Sequence, residues 1–215
     1  MRTLYSYWRS SAAFRVRIAL NLKGLAYDCV PVHLARGEQR ASPHLRRSAQ
    51  GLVPVLEDDG LTLTQSLAII EYLDEVHPTP ALLPSDPAGR ARVRSLSLAI
   101  ACDIHPLNNL RVLQKLKSEF GADEAACARW YRDWVDQGLR AWQAQWRAWP
   151  GPAGPFVHGA EPGMADCCLV PQIYNAQRFA CDLEAVPDLM RLFESCMRHP
   201  AFADAHPSRQ PDAVA

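Results

Sequence analysis

The sequence predicts a small α/β domain over residues 1–80 followed by an all-helical domain over 88–215. Three observations carry this. Within the first 77 residues, short apolar runs alternate with stretches of helical periodicity. The segment HPTPALLPSDP holds four prolines and cannot continue a helix, so it reads as a linker. From Ala88 onward no run reads as a strand.

Thr3 to Tyr7 is a predicted strand, and Ser11 to Gly24 a helix with Phe14, Ile18 and Leu22 on one face and Gly24 as its stop. Tyr27 to Val32 is a second strand, and so short a β-α-β unit implies a parallel pair with a right-handed crossover. The polar stretch Arg36 to Ser48 holds at most a short, irregular helix. Val53 to Glu57 and Leu61 to Thr64 flank Asp58, Asp59 and Gly60, a hairpin signal that leaves the acidic side chains solvated. Gln65 to His77 is a closing helix with Leu67, Ile70 and Leu73 inward. The order β-α-β-α-β-β-α is the thioredoxin-like arrangement.

Helices are then predicted over Ala88 to Phe120, Asp123 to Trp149, Gly163 to Cys181 and Pro187 to Arg198, with a disordered tail at RQPDAVA. Pro106 removes a backbone donor, so a kink is expected between Cys102 and Pro106. Trp130, Trp134, Trp142 and Trp146 recur at multiples of four, but each step drifts about 40° around the axis, so they cannot share one face. Some belong to the core and others are partly exposed.

The formal net charge is zero, which argues against a general nucleic-acid or anionic-membrane binder. No stretch is apolar long enough to span a bilayer, and the first 25 residues lack the pattern of a secretion signal. The seven cysteines are odd in number with no CxxC spacing, and five of them (Cys102, Cys167, Cys168, Cys181, Cys196) lie in apolar helical contexts. Buried free thiols in a reducing cytoplasm are expected rather than disulfides or a metal site. The histidines show no ligand spacing. Lysine occurs only at Lys23, Lys115 and Lys117; the remaining basic residues are arginines, whose planar forks suit carboxylates and phosphates.

The chemistry gathers at Trp8 to Leu20, WRSSAAFRVRIAL, where a strand runs through Arg9, Ser10 and Ser11 into a helix. Orphan N–H groups, a partial positive charge and two hydroxyls there suit an anion, which we read as a thiolate. Capping alone accounts for one serine, not for both or for the arginine. In QGLVP, a proline entering a strand from a turn is often cis, and Val53 can then offer its backbone to a ligand's peptide backbone. Gln65 and Ser66, at the next helix start, suit an α-amino acid carboxylate. Together the three sites describe a receptor for an extended tripeptide with a central thiol.

The segments YSYWRSSAAFRVRIALNLKG, QGLVPVLEDDG, LTQSLAIIEYL and CDIHPLNNLRVL resemble the zeta class of glutathione transferases over nearly the whole chain. The resemblance implies the glutathione transferase fold, glutathione as cofactor, a homodimer, and cis to trans isomerisation of a 4-oxo-alkenedioate in aromatic catabolism. Maleylacetoacetate, giving fumarylacetoacetate, is the foremost substrate and maleylpyruvate the alternative. By position, Ser10 donates to the thiolate and Ser11 supports it, with Arg9 beside them. Gln50 reaches the glycyl end, Val53 pairs with the cysteinyl backbone, and Gln65 with Ser66 holds the γ-glutamyl end. His105 and Asn109 close over the cofactor, and Arg9, Arg111 and Arg178 bind the substrate carboxylates. No metal is implied. The class usually has Cys where this chain has Ala12, which removes a thiol used in side reactions such as dehydroascorbate reduction. Gly163 replaces the usual capping Thr while Asp166 is kept. A conjugating transferase acting on haloacids, and a non-catalytic binding protein of the same fold, are the competing readings.

Overall fold

The computed structural model describes residues 1–213. The chain divides into two compact units, Met1–Leu82 joined by Met197 onward, and Leu83–Cys196. This corrects the expected boundary: the helical domain predicted to run to residue 215 gives up its end to the first unit.

In the first unit, β1 (Thr3–Ser6) pairs in parallel with β2 (Asp28–Pro31) and antiparallel with β3 (Val55–Asp58), which pairs antiparallel with β4 (Leu61–Thr64). The sheet order is β2-β1-β3-β4. Helix α1 (Ser11–Leu22) makes the crossover, and its Phe14, Ile18 and Leu20 lie at 0–1 % exposure, as buried as the sheet residues Leu4, Val55 and Leu56. Helix α2 (Ser42–Leu45) is a single turn within the irregular polar stretch. Helix α3 (Ser66–Val76) buries Ser66, Ile69, Ile70 and Leu73, so Ile69 takes the inward place expected of Leu67. The hairpin turns through Asp59 (φ 48°) and Gly60 (φ 80°), the left-handed pair that a two-residue connection needs. Asp58, expected in solvent, is buried and lies 3.0 Å from Arg2 Nε. Glu57 accepts from Arg47 Nε at 2.8 Å and from the Tyr5 hydroxyl at 3.0 Å.

Helix α9 (Pro200–Ala205), which the sequence did not announce, packs on α1. Asn21 donates to the Ala201 carbonyl at 3.0 Å, and Arg17, wholly buried, donates to the Ala205 carbonyl at 3.1 Å. The stretch predicted to be a disordered tail is held through residue 213: Gln210 donates to the Asp204 and His206 carbonyls at 3.1 and 3.0 Å. Val214 and Ala215, the last residues of that predicted tail, lie outside the described residues.

The second unit is helical. The predicted run Ala88 to Phe120 is broken into α4 (Pro87–Leu98), a π-helical turn (Ala99–Ile104), a 3-10 turn (His105–Asn108) and α5 (Leu110–Phe120). The break falls where Pro106 lacks its N–H, as expected. Helix α6 (Glu124–Ala148) approaches the π turn so closely that a Cβ at Gly138 would come within 2.5 Å of Ile104. Helices α7 (Met164–Arg178) and α8 (Pro187–Met197) complete the unit. Trp142 is fully buried and donates to the Leu96 carbonyl at 2.8 Å, whereas Trp134 is 36 % exposed, so the four tryptophans do divide between core and surface. All seven cysteines are free. Cys102 is exposed rather than buried, because within the π turn only Ile100 and Ile104 face inward.

Asp166 sits in the first turn of α7, accepting the N–H groups of Gly163 and Val157, each at 2.9 Å. It is 1 % exposed, and burial pushes its carboxyl up to about 6 against the pull of those two donors.

Among the described residues no helix is long and apolar enough to cross a membrane, and no three His, Cys, Asp or Glu side chains gather as a metal site.

Candidate active site

The first unit brings its predicted residues to the ends of two helices and one loop. At the start of α1, Ser10 is the cap: its backbone is extended and its Oγ accepts the Ala13 N–H at 3.2 Å. That bond uses a lone pair and leaves the hydroxyl proton for an anion. Ser11 is the first helical residue and is 5 % exposed. Arg9 projects outward, its guanidinium 4.7 Å above the Trp8 ring and donating to the Tyr7 hydroxyl at 3.3 Å. A cation here adds to the positive end of α1, so the local field favours a negative ligand.

The Val53-Pro54 peptide is cis. Val53 lies two residues before the start of β3, and among the described residues its N–H and C=O have no hydrogen-bond partner. A buried residue with both backbone groups unpaired is what an added peptide strand would complete. Val53 also packs with Tyr7 and Val32, and Tyr5, Trp8 and Leu34 cover the cluster. This ties the loop before β3 to the loop after β1.

Gln65 adopts φ +69° and opens α3 without a side-chain cap, which leaves the first N–H groups of that helix for a ligand. Behind them the buried Arg15 donates to the Ser66 hydroxyl at 3.1 Å. A buried guanidinium and a helix N-terminus act together on a carboxylate placed there. Gln65 Nε2 donates to Gln50 Oε1 at 3.2 Å, so these two predicted residues meet directly.

Within the second unit, His105 and Asn109 lie at the 3-10 turn before α5. Asn109 caps α5, its Oδ1 accepting the Arg111 N–H at 3.1 Å, which leaves its amide N–H groups as donors. Arg111 is exposed in the first turn of α5, where the helix dipole disfavours a cation, and is in no ion pair among the described residues. Arg178, in the last turn of α7, donates to Asn175 Oδ1 at 3.3 Å and lies 5.5 Å from the Phe179 ring. Phe179 stacks in turn on Tyr131, with ring centroids 3.6 Å apart.

Several residues beside these sites were not singled out by the sequence. Arg15 and Arg17 read as ordinary helix-surface arginines, yet both are buried and bound to site segments. Their spacing with Phe14 and Ile18 on a helix wholly buried from Ala13 to Leu20 was the available signal. Asn108 is 7 % exposed with both amide atoms unpartnered, next to the cap Asn109; the Asn-Asn pair in CDIHPLNN was its only trace.

Comparison with known proteins fits this geometry. Residues 2–75 match the family described as glutathione S-transferase, N-terminal domain. The chain is 52 % identical to maleylacetoacetate isomerase of Rhizobium meliloti, with 96 % of each protein covered. It is 45 % identical to maleylpyruvate isomerase of a Ralstonia species over 98 % of this chain and 99 % of that one. Among solved structures, the holo form of a maleylpyruvate isomerase, described as a bacterial zeta-class glutathione transferase, superposes with a TM-score of 0.96 at 44 % identity, covering 99 % of this chain and 100 % of that one. A maleylacetoacetate isomerase from Anaeromyxobacter dehalogenans, solved with dicarboxyethyl glutathione and citrate in its active site, gives 0.87 at 45 % identity, with 100 % and 98 % covered. The fold and the full-length identity establish the family: the chain belongs to the zeta class of glutathione transferases, alongside the maleylacetoacetate and maleylpyruvate isomerases.

Proposed function

We propose that the protein is a glutathione-dependent cis-trans isomerase of 4-oxo-alkenedioates, acting on maleylacetoacetate to give fumarylacetoacetate. The observation that carries this is the Ser10 hydroxyl, fixed by its cap to Ala13 with its proton unused, at a helix N-terminus beside Arg9. Relatives at 45–52 % identity bear the names of isomerases of two such diacids. The unpaired Val53 backbone and the uncapped start of α3 fit the peptide and γ-glutamyl carboxylate of glutathione.

When bound, glutathione supplies a thiolate that adds reversibly to the conjugated alkene and so lets its two ends rotate. The chain's own residues hold and orient. Ser10 donates to the sulfur, and Ser11 supports it from the first turn of α1. Val53 pairs with the peptide, Gln50 lies at the glycyl end, and Gln65 with Ser66 binds the α-carboxylate in front of Arg15. His105 and Asn109 supply further donors to the cofactor. Arg9, Arg111 and Arg178 bind the substrate carboxylates and stabilise the negative charge that develops on its ketone.

Acid-strengthening by Ser10 is a small part of the rate. Lowering a thiol from about 8.5 to about 6.5 raises its ionised fraction roughly 25-fold at pH 7, and the accompanying fall in nucleophilicity takes back roughly eightfold. Ser10→Ala is therefore expected to slow turnover only about threefold, read from initial rates at saturating glutathione. A loss of several hundredfold would assign Ser10 a different role.

We also infer a cytoplasmic homodimer, supported by the resemblance and by exposed apolar residues on the first unit, Leu61 at 49 % and Val76 at 47 %. The deciding experiment follows both diacids spectrophotometrically with and without glutathione, on protein whose mass in solution is read by sedimentation. Isomerisation that needs glutathione and returns it free is the expected result. A thioether product would identify a conjugating transferase, and no calorimetric heat with glutathione would identify a binding protein.

A further inference from the structure

The segment after α9 reaches back to the loop that carries Arg9 and Ser10. Asp212 accepts the Trp8 N–H at 3.0 Å. The Trp8 carbonyl accepts from Arg17 at 3.1 Å, and the same guanidinium donates to the Ser6 hydroxyl at 3.0 Å and to the Ala205 carbonyl at 3.1 Å. Both backbone groups of Trp8 are therefore held by groups outside its own loop, one of them 204 residues away. The turn continues with the Ser10 N–H donating to the Tyr7 carbonyl at 2.9 Å. Phe14 meets His206 edge-on, with centroids 6.2 Å apart, which fixes the far end of the same segment against α1.

Turn geometry alone needs none of this. The Tyr7 to Ser10 turn closes through its own hydrogen bond, and Ser10 caps α1 without help. What the Asp212 carboxylate adds is a fixed orientation of the peptide plane preceding Trp8, and hence of the Arg9 guanidinium that lies over the Trp8 ring. We propose that the C-terminal segment is a clasp on the active-site loop, with Asp212 as a positioning residue that aims Arg9 through the Trp8 backbone. The inference rests on the isomerase reading for its catalytic consequence, but not for the clasp itself.

Two measurements separate those dependencies. In the ligand-free protein, the Trp8 amide is expected to be protected from hydrogen exchange, and Asp212→Ala to lose that protection while the core of α1 keeps its own. An unchanged Trp8 amide in the variant overturns the clasp whatever the enzyme does. In kinetics, Asp212→Ala is expected to lower kcat/KM for the diacid about fivefold, the order of one lost hydrogen bond. The KM for glutathione should stay within about twofold, because Gln50, Val53, Gln65 and Ser66 lie on other segments. Asp212→Asn keeps a carbonyl acceptor and should restore both protection and rate. Equal losses in the Asn and Ala variants, or a diacid kcat/KM that does not change when the amide is freed, would overturn the positioning role. Inactive wild-type protein with a protected Trp8 amide would instead overturn the isomerase reading.

Discussion

Asp166→Ala is expected to destabilise the protein by about 3 kcal/mol, lowering its melting temperature by roughly 10 °C. The carboxylate receives two backbone N–H groups, one from Val157 in the loop before α7 and one from Gly163 at its start. Truncation leaves both donors without a partner, at about 1–3 kcal/mol each, offset in part because a buried charge is removed. The same site places Cys196 Sγ 3.5 Å from Oδ1, so α8 is tied to the start of α7 as well. Calorimetric unfolding measures the loss; a variant melting within a degree or two of wild type would refute the role.

The pH dependence has a definite sign. The Asp166 carboxyl titrates near 6 in the folded protein, above its ordinary value of 3.8, so the native state binds this proton more tightly than the unfolded chain does. Its contribution is greatest below the unfolded value and falls as pH rises through the window from about 4 to about 6. The fall amounts to about 3 kcal/mol at 1.36 kcal/mol per pH unit. Asp166→Asn, which cannot titrate, should therefore gain on wild type as pH rises from 4 to 7. Denaturant unfolding across that range reads the difference, and parallel curves would be inconsistent with a raised carboxyl.

What the sequence made legible was local. The strand order, the Asp59-Gly60 turn, the Ser10 cap and the break at Pro106 each follow from residues within a few positions of one another. What it hid was long-range and polar. Lys23 donates to Asp74 Oδ1 at 2.5 Å and to the His77 and Pro80 carbonyls at 2.7 and 2.6 Å. Arg92 is 2 % exposed and donates to the Trp149 and Val157 carbonyls. Arg17 likewise binds mostly carbonyls, and a carbonyl acceptor leaves no mark on composition or periodicity. The same blindness concealed the C-terminal clasp: each of its bonds to the rest of the first unit has a backbone group at one end, the Trp8 N–H or the Ala201 and Ala205 carbonyls, so the tail's polar sequence read as a chain with nothing to bury. As candidates, Gln50, Val53, Gln65 and Ser10 could be picked out because each stands at a turn or helix start, whereas Arg15, which bonds the Ser66 hydroxyl from inside, and the buried Asn108 could not.

Replacing Arg111 and Arg178 by alanine is expected to produce the largest catalytic loss of any substitution considered. Local energetics oppose Arg111: an exposed cation in the first turn of α5 meets the positive end of the helix dipole, and no carboxylate compensates it among the described residues. A rule broken without structural return points to a ligand. Arg178, the second carboxylate ligand of the proposed function, is held differently. Asn175 and the Phe179 ring restrict its fork, and Phe179 is itself immobilised on Tyr131, so less freedom is lost when a carboxylate binds. A charge-assisted bond to a carboxylate is worth about 1.5–3 kcal/mol, so each single variant should lose about 10-fold to 100-fold in kcat/KM for the diacid, with the KM for glutathione little changed. Lysine at either position keeps the charge but not the two-pronged geometry, and should recover only part of the loss. Together these outcomes would place substrate orientation, rather than thiol activation, at the centre of catalysis, in keeping with the threefold expected at Ser10. Michaelis constants and turnover unchanged in both alanine variants would remove these arginines from the substrate site and leave Arg9 as the sole candidate cation.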